Sequence, residues 1–428
     1  MTEQRKYSTR LSETSQYYVE RAGLPSSSFC ILPWTALTID PDGRFRACCI
    51  FDGYCRDESE KELNIKDNTI SESRTSHSLT EIKKSFLAGE RPTECASCWR
   101  EEEQGKISKR LHMINQFNDQ IKNKQWNLEP DDLIFLDLKV GNLCNLKCRI
   151  CGSWSSSLWA LEELQQLPKN EQKSSNHYLA LQLGKWPQNK NFWEDLLKNY
   201  IDTVTYIEFT GGEPFMSLEH FDFLKSAIDL GISENIEIRY STNGTIMPAQ
   251  HKLWKYFKKV VLSFSIDDIG KRFEYERSGA NWEEVEKNIK EFKSISKEYG
   301  NMSLTVAPTV NIYNVYYLEE LTNWMYENKF DDWYWSICHH PSNLSVINLP
   351  NSAKRAISQR LLRADVLDSD KEEFKSILRV MNKSSKPDSG ECFGQMVDPD
   401  MVTQIKKLDQ IRSESFQETF PELAKLIC

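Results

Sequence analysis

At 428 residues the chain can form two or three domains with a sizeable core, so size does not exclude an enzyme. Its 54 Lys and Arg stand against 63 Asp and Glu, and the net charge of -9 disfavours a general phosphate-binding surface, and nucleic acid as a partner. No run approaches the roughly 20 apolar residues of a membrane span, and residues 1–14 lack the apolar core of a signal peptide, so no membrane partner and a cytoplasmic location are expected. Twelve cysteines in such a chain, most in two clusters, read as metal ligands more readily than as disulfides.

The first cluster opens with Cys30, Gly43 and Cys48 in a C-x12-G-x4-C pattern and closes with Cys95 and Cys98 in a C-x2-C pair. Four thiolates suit a closed metal site, and by geometry alone this could be a structural zinc. Adjacent side chains on extended backbone point to opposite sides, so only one of Cys48 and Cys49 should bind. The glycine spacing favours Cys48, and Cys55 is a spare or an alternative fourth ligand. Pro33-Trp34 and the Pro41-Asp42-Gly43 turn between Ile39 and Phe45 read as a small hairpin holding the two cysteine ends together.

From residue 126 the pattern changes. Apolar runs at 133–140, 204–210, 236–241, 260–266, 303–309 and 333–337 read as six strands, alternating with amphipathic stretches such as 218–230 and 282–298. The economical architecture is α/β, a parallel sheet curled into a partial (β/α)6 TIM barrel with the site on loops at the strand C-termini. Residues 154–200 exceed a simple crossover and read as a helix plus an insertion. The expected division is an N-terminal domain over 1–125, the barrel over 126–345 and a helical C-terminal extension over 346–428, with a break at Pro387-Asp388-Ser389-Gly390.

The loop after the first barrel strand carries Cys144, Cys148 and Cys151 in a C-x3-C-x2-C spacing. Three thiolates fill three corners of a four-iron cubane and leave the fourth iron free for a small molecule's oxygen and nitrogen. Asn142, Asn145, Lys147 and Arg149 do not supply the apolar context of three merely packed cysteines. The second strand ends in Gly211-Gly212-Glu213-Pro214, where paired glycines permit close backbone approach beside a carboxylate. The third ends in Ser241-Thr242-Asn243-Gly244, with side chains suited to ribose hydroxyls, and read blandly is a turn. Ser265, Asp267 and Asp268 end the fourth strand, Tyr275-Glu276-Arg277 follows, Thr309, Asn311 and Asn314 close the fifth, and Cys338-His339-His340 follows the sixth. Adjacent histidines rarely ligate one metal, so structural or pocket roles are expected for that pair.

The cysteine spacing, with a hydrophobic residue before Cys151, resembles the radical S-adenosylmethionine (SAM) superfamily. The resemblance implies a 4Fe-4S cluster whose open iron chelates the methionine end of SAM. It also implies reductive cleavage to a 5'-deoxyadenosyl radical that abstracts hydrogen from a substrate, with electrons from a reductant such as flavodoxin or ferredoxin. Gly211, Gly212, Glu213 and Pro214 look like the family's Gly-Gly-Glu-Pro element, whose backbone and carboxylate take the methionine ammonium. Ser241 first and Asn243 second resemble its ribose contacts. Ser265, Asp267 and Arg277 look like the Ser-x-Asp and later Arg pattern of peptide-modifying members, in which Arg277 would pair with the SAM carboxylate; a solvated surface arginine is the other reading. Cys338 reads as a hydrogen donor at the barrel mouth, as in some epimerases of the superfamily, or as a buried free cysteine.

The Cys30-Gly43-Cys48 half resembles SPASM and twitch domains, which implies an auxiliary cluster, 4Fe-4S or 2Fe-2S, held by Cys30, Cys48, Cys95 and Cys98. Here it precedes the barrel, like a group of twitch-containing proteins with an N-terminal extension. By analogy with these relatives, the implied function is hydrogen abstraction from a ribosomal peptide for crosslinking, epimerisation or another oxidation. Modification of a small metabolite, nucleotide or sugar is the alternative, the N-terminus showing no leader-binding winged helix. A non-catalytic iron-sulfur carrier or regulator is the rival from another class.

Overall fold

The structure is a computed structural model that describes residues 15–103, 105–383 and 399–427. Near its start, Ala36–Ile39 (β1) and Phe45–Arg46 (β2) form the expected antiparallel hairpin. Gly43 makes the turn at φ +82, where a Cβ would lie 2.8 Å from Ile65 Cγ2, so the glycine is required both by backbone and by space.

All six barrel strands form at the expected runs, the last four reaching one residue beyond them: Phe135–Lys139 (β3), Tyr206–Thr210 (β4), Glu237–Thr242 (β5), Lys259–Phe264 (β6), Met302–Val306 (β7) and Asp332–Trp333 (β8). The last two runs are split. After Pro308, which has no N–H to give a ladder, Thr309–Val310 and Ser336–Ile337 pair separately.

The sheet is larger than expected. Its order is β8-β7-β6-β5-β4-β3-β1-β2, with every neighbouring pair parallel except the hairpin. β1 lies beside β3 in parallel register, Ala36 opposite Phe135 and Ile39 opposite Leu138, so the N-terminal hairpin extends the barrel sheet.

Alternation along the strands separates two chemistries. On the outer face Leu136, Leu138, Ile207, Phe209, Ile238, Tyr240, Leu262 and Leu304 are buried in one apolar core. The helices Glu219–Asp229 and Trp282–Tyr299 pack Phe221, Leu224, Val285, Ile289 and Phe292 into it. The opposite face carries Asp137, Lys139, Glu208, Thr210, Arg239 and Ser241, with Asp137, Glu208 and Arg239 aligned across three strands. A second apolar core, containing Phe29, Trp34, Phe86, Trp99 and Leu111, rests against Ile134, Phe135 and Tyr206 at the strand starts.

Residues 154–200 hold three helices, Ser157–Gln166, Asn176–Leu183 and Lys190–Asn199, rather than one helix and an insertion. The C-terminal extension is helical as expected, with Asn351–Leu361, Asp368–Met381, Pro399–Arg412, Phe416–Thr419 and Pro421–Ile427. The break at 387–390 and the leading residues 1–14 lie outside the described residues. Among the described residues no helix is long and apolar enough to cross a membrane.

Leu262 is wholly buried on β6, so Leu262→Ala should destabilise the chain by about 2–5 kcal/mol through lost contacts and a residual cavity. Leu179→Ala, at a side chain 52% exposed, should change the urea midpoint little; equal shifts for the two variants would contradict this core assignment.

Candidate active site

The cysteine loop leaves β3 at Val140 and is held by its own polar residues. The Asn142 side-chain amide donates to the carbonyls of Ser153 and Ala180 at 3.1 and 3.0 Å, and Ser156 Oγ donates to the Leu146 carbonyl at 2.6 Å. Lys147–Cys148 pairs antiparallel with Arg277–Ser278, and the Trp159 indole N–H donates to the Cys148 carbonyl at 2.7 Å. These contacts leave Cys144, Cys148 and Cys151 around one cavity of about 240 Å³.

Crowding shows in the thiols. Burial and then Cys148 raise the pKa of Cys144, the same two causes push Cys151 up to about 12, and burial raises Cys148 against the opposing charge of Arg277. Among the described residues no group of three Cys, His, Asp or Glu side chains is placed to hold a single metal ion. The three cysteines share the wall of one cavity, and three thiols are the protein ligands a four-iron core with one open iron would need.

The paired glycines dock β4 onto this loop. Gly212 N–H donates to the Gly141 carbonyl at 3.0 Å and Glu213 N–H to the Leu143 carbonyl at 2.8 Å. A Cβ on Gly212 would lie 2.2 Å from the Leu143 oxygen, and one on Gly211, at φ +118, 2.7 Å from the Gly141 oxygen. Both glycines also line the cavity.

Glu213 follows the glycine pair and is buried. Its side chain is not among the cavity-lining residues: it is 1% exposed and accepts from Thr242 Oγ1 and Asn243 N–H, both at 2.8 Å. Burial raises its pKa to about 7 against these hydrogen bonds. The carboxylate is a strut between the ends of β4 and β5, and its charge also raises the Cys144 thiol. Pro214 opens the buried turn Pro214–Met216 behind it.

Ser241, Asn243 and Ser265 line the cavity. Asn243 also donates its side-chain amide to Asn145 Oδ1 at 3.0 Å, which holds it against the cysteine loop. Asp267 is fully buried and serves Arg277, accepting from Nη2 at 2.7 Å and from Thr309 N–H at 2.8 Å. Arg277 is 7% exposed, which overturns the surface reading; it lines the cavity, with Nη1 3.6 Å from Cys148 Sγ and Nε buried without a protein partner. An orphaned guanidinium N–H beside three thiols fits a carboxylate-bearing ligand such as SAM. Cys338 is buried and is not among the cavity-lining residues; its Sγ lies 3.4 Å from the His340 carbonyl, and burial pushes its pKa up to about 12. That is the geometry of the buried-cysteine reading, while His339 and His340 are exposed.

The N-terminal thiols form a second group. Cys30, Cys48, Cys95 and Cys98 line one small cavity whose other walls are Leu32, Ile50, Phe51, Phe86 and Arg110. Burial raises all four thiols; Cys30 is raised further by Cys95 and Cys98, and Cys48, at about 12, by Cys30 and Cys98. Arg110 binds the two knuckles together, pairing with Glu102 at 2.5 Å and donating to the Phe29 carbonyl at 2.7 Å. Cys49 faces elsewhere, towards Asp137 and Lys109, and Cys55 lies in the barrel core. All ten described cysteines are free thiols.

Sequence reasoning missed Thr210, Ser155 and Ser156 in the cavity wall, and Lys109, whose Nζ lies 3.0 Å from Glu208 on the polar face of the sheet. Thr210 immediately precedes the glycine pair, the one available signal; the others depend on how the loops fold back.

Residues 138–313 match the family described as the Radical SAM superfamily. No curated protein matches the chain. Solved structures that match include native anSMEcpe with bound AdoMet, at 19% identity over 48% of this chain and 51% of that one, with a TM-score of 0.33. Streptococcus suis SuiB bound to S-adenosylmethionine matches at 13% identity over 68% and 60%, with a TM-score of 0.34. SuiB bound to precursor peptide SuiA matches at 14% identity over 76% and 68%, with a TM-score of 0.33. The chain spans about half the length of the first of these.

Gly212→Ala should leave the chain folded but displace the cysteine loop, lowering the iron bound per chain after anaerobic reconstitution; unchanged iron content would contradict the docking role. The raised pKa of Glu213 has a sign. Between the ordinary 4.5 and about 7 the folded chain holds a proton that the unfolded chain has lost, so stability falls as pH rises through that window. Glu213→Gln should flatten this part of a stability-against-pH curve, by on the order of 3 kcal/mol across the window.

Proposed function

We propose that this chain, which carries a radical SAM domain over residues 138–313, cleaves SAM reductively and abstracts hydrogen from a substrate, with a second iron-sulfur cluster at its N-terminal thiols. Radical SAM domains use a 4Fe-4S cluster and SAM; bound together, these supply a carbon radical able to remove hydrogen from an unactivated C–H bond. The observation that carries the reading is the single cavity shared by three thiols, two glycines and an arginine with a free N–H.

In this reading Cys144, Cys148 and Cys151 hold three irons. The Gly211 and Gly212 backbone and the Thr210 side chain face the methionine end of SAM, and Ser241, Asn243 and Ser265 offer hydrogen bonds to its polar groups. Arg277, its plane fixed by Asp267, would hold the carboxylate. Glu213 keeps the strand ends at their spacing. Cys30, Cys48, Cys95 and Cys98 hold the auxiliary cluster, 4Fe-4S or 2Fe-2S, in an apolar pocket that excludes water.

The substrate we propose is a ribosomal peptide, with a small polar metabolite as the alternative. Support comes from the polar face of the sheet, where Asp137, Glu208 and Arg239 align and Lys109 of a neighbouring helix pairs with Glu208, an interior suited to a polar substrate. A flavodoxin or ferredoxin would supply electrons. The set of unpaired thiols is in keeping with the reducing cytoplasm.

The test is anaerobic reconstitution with iron, sulfide, SAM and a strong reductant, followed by assay for 5'-deoxyadenosine. A carrier that never cleaves SAM would give none. Cys148→Ala should abolish product, while Cys98→Ala should spare slow uncoupled cleavage and lose substrate turnover; equal loss in both would contradict the division of roles. Arg277→Ala should raise the SAM concentration needed for half-maximal cleavage about 10- to 100-fold, the worth of one charge-assisted contact.

A further inference from the structure

The helix Pro399–Arg412 and the two residues after it reach back across 265 residues of sequence to grip the cysteine loop on both sides of Cys148. Before Cys148, Arg412 Nη1 donates to the Lys147 carbonyl at 2.8 Å and Nη2 pairs with Glu162 at 2.8 Å. Glu162 also takes the Lys147 ammonium. The Arg412 guanidinium lies over the ring of Trp159, 4.6 Å from its centroid, the same indole that donates to the Cys148 carbonyl. After Cys148, Arg149 pairs with Asp409 at 2.7 Å and with Glu414 at 2.5 Å. Tyr275 OH donates to Asp409 and Ser278 Oγ to Glu414, both at 2.7 Å, which ties the same carboxylates to the residues on either side of Arg277.

These are not solvated surface pairs. The side chains of Arg149 and Arg412 are 0% and 1% exposed. A buried guanidinium that loses its carboxylates is left at high cost, so the loop conformation seen here requires the tail in place. Arg149 otherwise has the Tyr275 carbonyl at 3.1 Å and the phenols of Tyr275 and Tyr313, all of them neutral groups.

We infer that residues 405–414 are a clasp that completes the iron site of the barrel by fixing the backbone on either side of Cys148, with Asp409, Arg412 and Glu414 as positioning residues. The inference rests on the reading of Cys144, Cys148 and Cys151 as cluster ligands and adds that the C-terminal segment belongs to that site. Partners beyond the ligands themselves hold metal-binding side chains in place, and their loss typically weakens metal affinity by about 10- to 100-fold.

The test uses the full-length chain, anaerobically reconstituted. Hydrogen-deuterium exchange of the wild type with and without iron should show faster exchange in 405–414 and in 144–151 together when iron is removed, with Trp282–Tyr299 unchanged. Arg412→Gln should lose the SAM-perturbed part of the reduced-cluster electron paramagnetic resonance signal to a chelator about tenfold faster than the wild type. Arg412→Lys should fall between them, and Lys407→Gln, exposed on the same helix, should match the wild type. Exchange in 405–414 indifferent to iron, or cluster loss in Arg412→Gln within twofold of the wild type, would overturn the clasp. Should Arg412→Gln fail to fold, the wild-type exchange decides alone. Absence of a SAM-perturbed signal in the wild type would overturn the underlying iron site as well, which separates the two failures.

Discussion

Two backbone hydrogen bonds, from Gly212 and Glu213 to the carbonyls of Gly141 and Leu143, set the distance between the end of β4 and the cysteine loop, and the rest of the site is built out from them. They exist because neither glycine carries a Cβ; at Gly212 one would meet a carbonyl oxygen at 2.2 Å. The strut continues through Glu213 to Thr242 and Asn243 at the end of β5, and Asn243 returns to Asn145 in the cysteine loop. Asp267, after β6, holds Arg277, and Arg277 reaches Cys148. Three strand ends and one loop are thus closed into a ring of contacts in which the cavity is the centre.

The same sheet keeps two chemistries apart. Its outer face is aliphatic and aromatic and packs under helices, while the inner face carries charge at aligned positions. The N-terminal hairpin meets the inner face directly, because β1 extends the sheet beside β3. Cys48 and Cys49 mark the junction: the first turns into the apolar thiol cavity and the second towards Lys109 and Asp137. One peptide bond therefore separates the proposed auxiliary site from the polar interior of the barrel. Electron transfer between a cluster at the first and a substrate in the second would need no intervening domain.

Much of this was legible in the residues. Six apolar runs located six strands, because a strand buried on its outer face needs large apolar side chains whatever lies on the other. The cysteine spacings located both thiol groups for a similar reason, since ligands of one centre must be brought together by short, specific turns. The hydrogen bonds that Glu213 accepts from Thr242 and Asn243 were not legible, because a carboxylate beside paired glycines looks alike in sequence whatever its partners. The parallel pairing of β1 with β3 was invisible, as nothing local specifies a partner nearly a hundred residues away. Arg149 and Arg412 were unreadable for the same reason: each looks like a solvated charge until the chain folds and leaves each of them buried against carboxylates.

The central claim is that the three-cysteine loop leaves one iron open to SAM. Electron-nuclear double resonance on the reduced, anaerobically reconstituted protein with SAM labelled at its amino nitrogen and carboxylate oxygen tests it most directly. The account predicts hyperfine coupling of both labelled atoms to a single iron of the barrel cluster. A cluster that shows no coupling to either label, or one closed by a fourth protein side chain, would contradict it.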